Sequence, residues 1–355
     1  VTAEQESDGV IRAPALCDLQ VNGGWGTSFA SPNLTVEQVV FLAEQYAGQG
    51  VARFCPTLIT ASLDVLTHAL RVIANACKTN LFVADAILGV HLEGPWISDR
   101  DGYRGAHASQ QIRDPNIVEF DQLQQASGDR IKLVTLAPER PGGIEFIRQL
   151  VQRGVVVAIG HTAADGPTIA AAVDAGASLS THLGNGIATP LPRHPNPIWH
   201  QAADDRLFAS LIADLEHVDP ATLNVLTRAK GHERTIFVSD LSPLAGCSAG
   251  VYGEWEVTAD RRVVVAGTPY LAGACRPLFD ALAIAVNQLG WSLDHALHSM
   301  TINPLSVLGR AVDSAPERLR RHKDDALHIG ITQSSHCIEY ELLLAQIGGR
   351  TWRRS

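Results

Sequence analysis

Short runs of β-branched and apolar residues alternate along the chain with stretches in which apolar side chains recur every three to four positions, the pattern of repeated strand–helix units. Strands are predicted at Leu16 to Val21, Val51 to Cys55, Ile87 to Leu92, Ile131 to Leu136, Val155 to Ile159, Ser178 to His182, Phe208 to Ala213 and Arg234 to Val238. Helical spacing marks Thr35 to Gly48, opened by a cap at Asn33, and Leu63 to Ala76. It continues at Gly143 to Gln152, Gly166 to Ala175, Pro220 to Ala229, Arg276 to Gln288 and Ser292 to Met300. Eight strands with helices between them favour a closed (β/α)8 barrel over the other α/β solution, an open doubly wound sheet.

Two regions break the alternation. Val251 to Leu271 reads as β-hairpins around Asp260-Arg261-Arg262, inserted between the eighth strand and its helix. The tail offers strand-like pieces at Ala326 to Thr332 and His336 to Glu341, which with Val10 to Arg12 would make a small β appendage from both termini. The expected division is a catalytic barrel over 14–323, carrying the hairpin insertion at about 246–271, and a β domain from 1–13 plus 324–355.

At 355 residues and 46% hydrophobic, the chain is long enough to bury a large core. A net charge of −9 with the two signs interleaved argues against a nucleic-acid partner. The apolar runs stop well short of a membrane span, and the acidic, polar start from Val1 is unlike a signal peptide, so a cytoplasmic location is expected. The six cysteines, Cys17, Cys55, Cys77, Cys247, Cys275 and Cys337, form no Cys-x-x-Cys pair and read as reduced thiols. The only methionine is Met300, so an N-terminal segment is expected to precede Val1.

The candidate chemistry lies at the C-terminal ends of the strands, where a parallel barrel gathers its reactive groups. Glu93, His161 and His182 each sit at such an end, and one carboxylate with two imidazoles suits a divalent ion with a coordination position left for water. Zinc is the expected metal, with iron, cobalt or manganese as alternatives. Each histidine alone would read as a hydrogen-bonded barrel-end residue; the three together read as ligands. Asp240, after the strand Thr235-Ile236-Phe237-Val238, would take a proton from the attacking water and return it to the leaving nitrogen, or else cap the turn Leu241-Ser242-Pro243. On the first strand, alternation points Gln20 and Asn22 to one side, into the barrel. Barrel hydrolases often carry a His-x-His pair there; neutral amides are much poorer zinc ligands, so one metal is expected rather than two.

These segments together resemble the N-acetylglucosamine-6-phosphate deacetylase family of the amidohydrolase superfamily, over about Pro14 to Gly309. The matching stretches are Asp18-Leu19-Gln20-Val21-Asn22-Gly23, His91-Leu92-Glu93-Gly94-Pro95-Trp96, Arg104-Gly105-Ala106-His107 and Leu136-Ala137-Pro138-Glu139. They continue with Gly160-His161-Thr162-Ala163, Thr181-His182-Leu183-Gly184-Asn185, Ile212-Ala213-Asp214-Leu215-Glu216-His217, Val238-Ser239-Asp240 and Leu271-Ala272-Gly273. The resemblance implies a (β/α)8 barrel of the metal-dependent amidohydrolase type with a small, truncated β domain, a homodimer, and removal of the acetyl group from an amino-sugar phosphate. It implies Glu93, His161 and His182 as metal ligands and Asp240 as acid/base, with Gln20-x-Asn22 marking the single-metal type. It also implies substrate contacts from His107, Asn185, Gly186 and His217, and from Arg193 toward the neighbouring subunit's phosphate. A histidine beside phosphate is favoured as the cation, which gives His107 or His194 a reason to be there. Without the resemblance, His107, His194 and His217 read as exposed loop histidines.

The departures from the family pattern cluster around the substrate. Gly184-Asn185-Gly186-Ile187 replaces Phe-Asn-Ala-Met, Arg193-His194-Pro195-Asn196 replaces Arg-Glu-Pro-Gly, and Asp214-Leu215-Glu216-His217 replaces Asp-Gly-Ile-His. Ala274-Cys275-Arg276 follows Leu-Ala-Gly in place of the usual Ser and Thr, and the tail lacks the family's closing strand pattern. Glu216 would be electrostatically unfavourable beside a phosphate if it pointed inward. The expected function is hydrolysis of N-acetylglucosamine 6-phosphate. The alternatives are a paralogous amidohydrolase acting on a different N-acyl substrate and a catalytically silent sugar-phosphate binder.

Overall fold

The computed structural model describes residues 2–7, 9–268, 271–309, 324–334 and 337–353. Eight parallel strands stand side by side in chain order: Leu16–Val21, Val51–Ile59, Val90–Glu93, Ile131–Leu136, Val156–Ile159, Leu179–Ser180, Phe208–Ile212 and Thr235–Val238. The sheet closes at its C-terminal rim, where Asn22 N–H donates to Leu241 O (3.0 Å) and Asp240 N–H donates to Gln20 O (2.9 Å). The last strand is thereby sewn to the first beside the candidate acid/base. All six residues of the first strand are buried, as expected where one face meets helices and the other fills the barrel. The barrel floor is packed by small and branched side chains including Leu19, Cys55, Leu133, Ile212 and Ile236, so the polar rim above rests on a solid apolar plug.

Element ends differ from expectation where the backbone must turn to aim a side chain. The sixth strand covers Leu179–Ser180 rather than running to His182, because His182 takes φ 29°, outside the strand region. The first long helix is Val36–Gly48, and its cap is Thr35 rather than Asn33: Thr35 accepts from Gln38 N–H while the Gln38 side chain accepts from Thr35 N–H, a reciprocal capping box. The helix expected from Arg276 begins at Asp280. Up to Ala274 the chain is held extended, with Ala274 N–H donating to Asp240 O and Ala272 N–H to Val263 O. Helices at Leu81–Ala86, Ile117–Ala126, Pro197–Ala203 and Ile302–Val307 carry little periodic signal, because each is short and buries few side chains.

The insertion is a three-stranded antiparallel sheet, Gly250–Tyr252, Trp255–Val257 and Val263–Val265, turning at Asp260 as expected. Both termini build a five-stranded antiparallel sheet from Glu4–Ser7, Val10–Pro14, Ala326–Gln333, Ile338–Ile347 and Arg350–Arg353. The tail therefore does close its sheet, by a hairpin at Gly348-Gly349 that its residue pattern does not predict. His336, expected to open a tail strand, and the barrel's expected end within 310–323 lie outside the described residues. Ile11, Ala13, Leu327, Ile329 and Leu342 share one core with the barrel helices, so the sheet packs on the barrel. No helix among the described residues is long and apolar enough to cross a membrane.

Candidate metal and catalytic site

Glu93, His161 and His182 meet at the barrel mouth with only 3%, 7% and 3% of their surfaces exposed. Glu93 Oε1 lies 3.2 Å from His161 Nε2 and 2.9 Å from His182 Nε2, and the two imidazole nitrogens are 3.2 Å apart. Zinc bonds of ~2.0–2.1 Å in a tetrahedral arrangement place neighbouring donors roughly 3.3 Å apart, close to this triangle. A second observation argues for a cation. His161 Nδ1 lies 2.9 Å from the Tyr103 carbonyl, which can only accept, so the Nδ1 carries the hydrogen. The Nε2 lone pair of the neutral ring then points at a carboxylate oxygen and a second imidazole nitrogen, and three acceptors converge with no proton among them. The donor set fits a divalent ion.

The backbone is bent to make this possible. His161, His182 and Asp240 take φ values of 48°, 29° and 50°, a region uncommon for residues with a side chain. Each lies just past the end of a barrel strand, and such conformations cost of order 1–3 kcal/mol each, which the surrounding structure must offset. Strain gathers where the chemistry does.

Gln20 and Asn22 both face the site. Gln20 Nε2 donates to Glu93 Oε1 (3.0 Å), and Asn22 Nδ2 donates to Asp240 Oδ1 (2.7 Å). The amides thus hold the two carboxylates rather than offering a second ligand pair. Asp240 makes its side-chain contact with Asn22, not with the turn that follows it.

The electrostatics separate the two carboxylates. Burial would push Glu93 up, but hydrogen bonds and charge from His161 and His182 outweigh it and hold Glu93 well below the usual range. Burial, together with the Glu93 charge, pushes Asp240 up to about 6. One carboxylate therefore stays ionised beside the imidazoles while the other is suited to exchange a proton near neutrality. Burial opposes charge on His182, but Glu93 and Asp240 prevail and hold its imidazole above the ordinary value.

The expected substrate residues divide. His107 is buried, with its ring centroid 4.4 Å from that of His161 and its Nδ1 2.8 Å from Thr60 Oγ1. Burial and the neighbouring His161 push His107 down to about 3, so it is a neutral hydrogen-bonding group here, contrary to the cation expected beside phosphate. Nor is it an exposed loop histidine. His217 is also largely enclosed, at 10% side-chain exposure, with Nδ1 2.6 Å from Asp214 Oδ2. Asn185 and Gly186 close over His161: a Cβ at Gly186 would lie 2.7 Å from His161 Nδ1, and φ is +60°, so glycine is required on both counts. Arg193 and His194 are exposed in the loop before Pro197–Ala203, apart from the ligand triangle.

Neither Asn196 nor Glu216, the two substitutions that point to a changed substrate, turns toward the ligand triangle. Asn196 is the buried cap of Pro197–Ala203, its Oδ1 accepting from Ile198 and Trp199 N–H. Glu216 is exposed rather than turned inward.

Glu139 closes one of the matching stretches, yet no role for it follows from the sequence. Its Oε2 accepts from Thr162 Oγ1 (2.5 Å) and its Oε1 from Ala163 N–H (2.6 Å), gripping the chain just past His161. Asp18 likewise accepts from Gln20 N–H and Ser239 N–H (3.2 Å each), clamping the first strand to the last beneath Asp240. A buried chain from His91 Nε2 to Thr135 Oγ1 (2.7 Å) and on to Thr181 Oγ1 (2.6 Å) runs under the ligands. A lone acidic residue outside any strand carries no periodic signal that would reveal the Glu139 grip.

No family model matches the chain. It is 33% identical over 350 residues to the N-acetylglucosamine-6-phosphate deacetylase of Bos taurus, covering 94% of this chain and 84% of that protein. It is also 33% identical over 334 residues to an N-acetylgalactosamine-6-phosphate deacetylase of Escherichia coli O157:H7, covering 91% and 86%. A solved structure of the Mycobacterium smegmatis N-acetyl-D-glucosamine-6-phosphate deacetylase, an aspartate-to-alanine mutant in complex with N-acetyl-D-glucosamine-6-phosphate, superposes with a TM-score of 0.81 at 29% identity, over 96% of this chain and 86% of that one.

Proposed function

Because the chain belongs to the N-acetylglucosamine-6-phosphate deacetylase family, we propose that it hydrolyses the acetamide of N-acetylglucosamine 6-phosphate to glucosamine 6-phosphate and acetate. The observation that carries the reading is the buried Glu93, His161 and His182 triangle with Asp240 beside it, held by Asn22. A divalent ion held by those three residues, zinc before iron, cobalt or manganese, would lower the pKa of a water and polarise the acetyl carbonyl. Asp240 accepts the proton released as that water adds to the carbonyl carbon. It returns the proton to the sugar nitrogen as the C–N bond breaks, leaving the amine and acetate. Asn22 fixes one Asp240 oxygen and leaves the other for this transfer. His107, kept neutral by burial, is a hydrogen-bonding group for the bound substrate. Asn185, Gly186 and His217 line the same side, and Arg193, with His194, lies on the loop beyond them.

The C4 epimer, N-acetylgalactosamine 6-phosphate, is the second reading, favoured by the equal identity to the E. coli relative. A homodimer, a cytoplasmic location and the division into barrel and terminal β domain are further parts of the proposal. Light scattering of the purified chain tests the dimer.

Acetate release from both epimers by zinc-reconstituted protein, run beside Asp240→Asn, is the deciding experiment. The variant should keep its metal and lose on the order of 10²–10⁴ in turnover, the usual weight of an acid/base group. Wild-type turnover in the variant would remove Asp240 from the mechanism. No acetate from a folded, zinc-loaded protein would discard both sugar phosphates and turn attention to other N-acyl compounds.

A further inference from the structure

Beside His217, at the edge of the mouth, runs a groove lined by three arginines that the catalytic chemistry does not employ: Arg261, Arg262 and Arg276. Their placement is fixed by the backbone. The extended segment before Arg276 is sewn between the eighth strand's exit and the insertion: Ser242 N–H donates to Ala274 O (2.8 Å), Ala274 N–H to Asp240 O (3.2 Å) and Ala272 N–H to Val263 O (2.9 Å). The hydrogen bonds that position the acid/base therefore also bring the hairpin turn alongside. At that turn Arg261 takes φ 63°, and Arg262 N–H donates to Thr258 Oγ1 (2.9 Å).

The charges around the groove do not cancel. Asp260 is paired with Arg262 at 2.8 Å, and Asp214 is engaged by His217 at 2.6 Å. Of the carboxylates lining the groove, Glu216 is left against Arg261 and Arg276, with Asp280 only at 4.0 Å from the Arg276 guanidinium. The remaining excess is positive, beside a histidine whose Nδ1 is already committed. Two guanidinium forks at a rim suit a phosphate dianion, whose oxygens they can grip in pairs.

We propose that Arg261 and Arg276 form the phosphate-recognising edge of the substrate site, supplied by the same chain that supplies Asp240. This rests on the reading of the substrate as an amino-sugar phosphate. It accounts for the tolerance of Glu216, whose charge is offset within the groove. It also makes the site's preference for phosphate independent of Arg193, which is exposed in a separate loop.

The test is calorimetric binding of glucosamine 6-phosphate and of glucosamine to zinc-loaded protein: wild type, Arg193→Ala, Arg261→Ala/Arg276→Ala and Arg261→Gln/Arg276→Gln. Zinc content and melting temperature serve as controls, and both targeted arginines are exposed enough to be replaced without disturbing the core. The double variants should bind glucosamine 6-phosphate on the order of 10–100-fold more weakly, the weight of one or two charge-assisted hydrogen bonds, with glucosamine affinity unchanged. A phosphate preference that survives in both double variants, or falls only in Arg193→Ala, overturns this inference and leaves the substrate reading standing. A wild-type protein that binds the two ligands alike overturns the phosphate reading and this inference with it. Equal loss for both ligands would mark the arginines as structural and also overturn it.

Discussion

The ligand triangle and the arginine groove share one rim of the barrel, yet they are built in opposite ways. Glu93, His161 and His182 are almost wholly enclosed, held from behind by Gln20 and the Tyr103 carbonyl, and two of them sit on strained backbone. Arg193, His194, Glu216 and Arg261 are exposed on loops and a hairpin turn. Bond-making chemistry needs its donors within a fraction of an ångström, and only a close-packed, cross-braced setting supplies that. Recognition of a charged group at the edge of a substrate tolerates more than one side chain reaching in from more than one element. A family can therefore keep the first region while redistributing the second, and the departures in this chain fall where that contrast places them.

The contrast is broken most directly at the triangle. Glu93→Gln exchanges an ionised ligand for a neutral amide, a much poorer partner for zinc, while the side chain keeps its shape. Metal analysis should show a fall from about one ion per chain toward none, with acetate release falling alongside. The fold should persist, since the barrel floor beneath is apolar and independent of the ion. A Glu93→Gln protein that keeps its zinc and its turnover would show that the triangle is not the metal site.

This difference also decides how much can be read from the sequence. The strands are legible because their apolar runs are continuous, and the Glu, His and His at their ends stand out because a polar residue closing such a run is conspicuous. What is not legible lies in the support. The Glu139 carboxylate reaches across to the loop of the next strand, and nothing local in its sequence points there. The neutrality of His107 depends on burial against His161, which spacing cannot convey, so the expectation of a cation fails. The cap at Thr35 displaces the one expected at Asn33 because the Gln38 side chain closes the box, a partner three residues on that outweighs the nearer asparagine. The closing hairpin of the terminal sheet is hidden because Ile338–Ile347 alternates exposed and buried positions only in part.

The support can be weakened without touching the ligands, which sharpens the contrast. In Glu139→Gln one oxygen can still accept from Ala163 N–H, while the amide end must face the Thr162 hydroxyl in place of a charged acceptor. His161 should then be held less firmly. Zinc affinity, read by competition with a chromophoric chelator, is expected to fall by roughly 10–100-fold, the range for partners that orient metal ligands. Binding of glucosamine 6-phosphate by the remaining zinc-loaded fraction should be unaltered. Unchanged zinc affinity would reduce Glu139 to a loop anchor.

The smallest effect lies deeper and concerns stability alone. Burial pushes Asp18 up to about 7, against the pull of the N–H groups of Ser239 and Gln20, so the fold favours its protonated form. The sign follows from which state binds the proton more tightly. Between the ordinary aspartate value near 3.8 and about 7 the native chain holds the proton and the unfolded chain does not. The contribution is thus fully present below the lower value and is lost as pH rises through the upper one. Asp18→Asn carries no such charge, so its stability should lack this component. Urea unfolding of metal-free protein at about pH 5 and about pH 8 should show the wild type losing stability relative to the variant as pH rises, by up to a few kcal/mol. The metal-free form is needed because zinc affinity carries its own pH dependence. If the two proteins keep the same separation at both pH values, Asp18 is ionised in the fold. The clamp between the first and last strands would then be a charged one, and the rim of the barrel would carry three buried carboxylates in place of two.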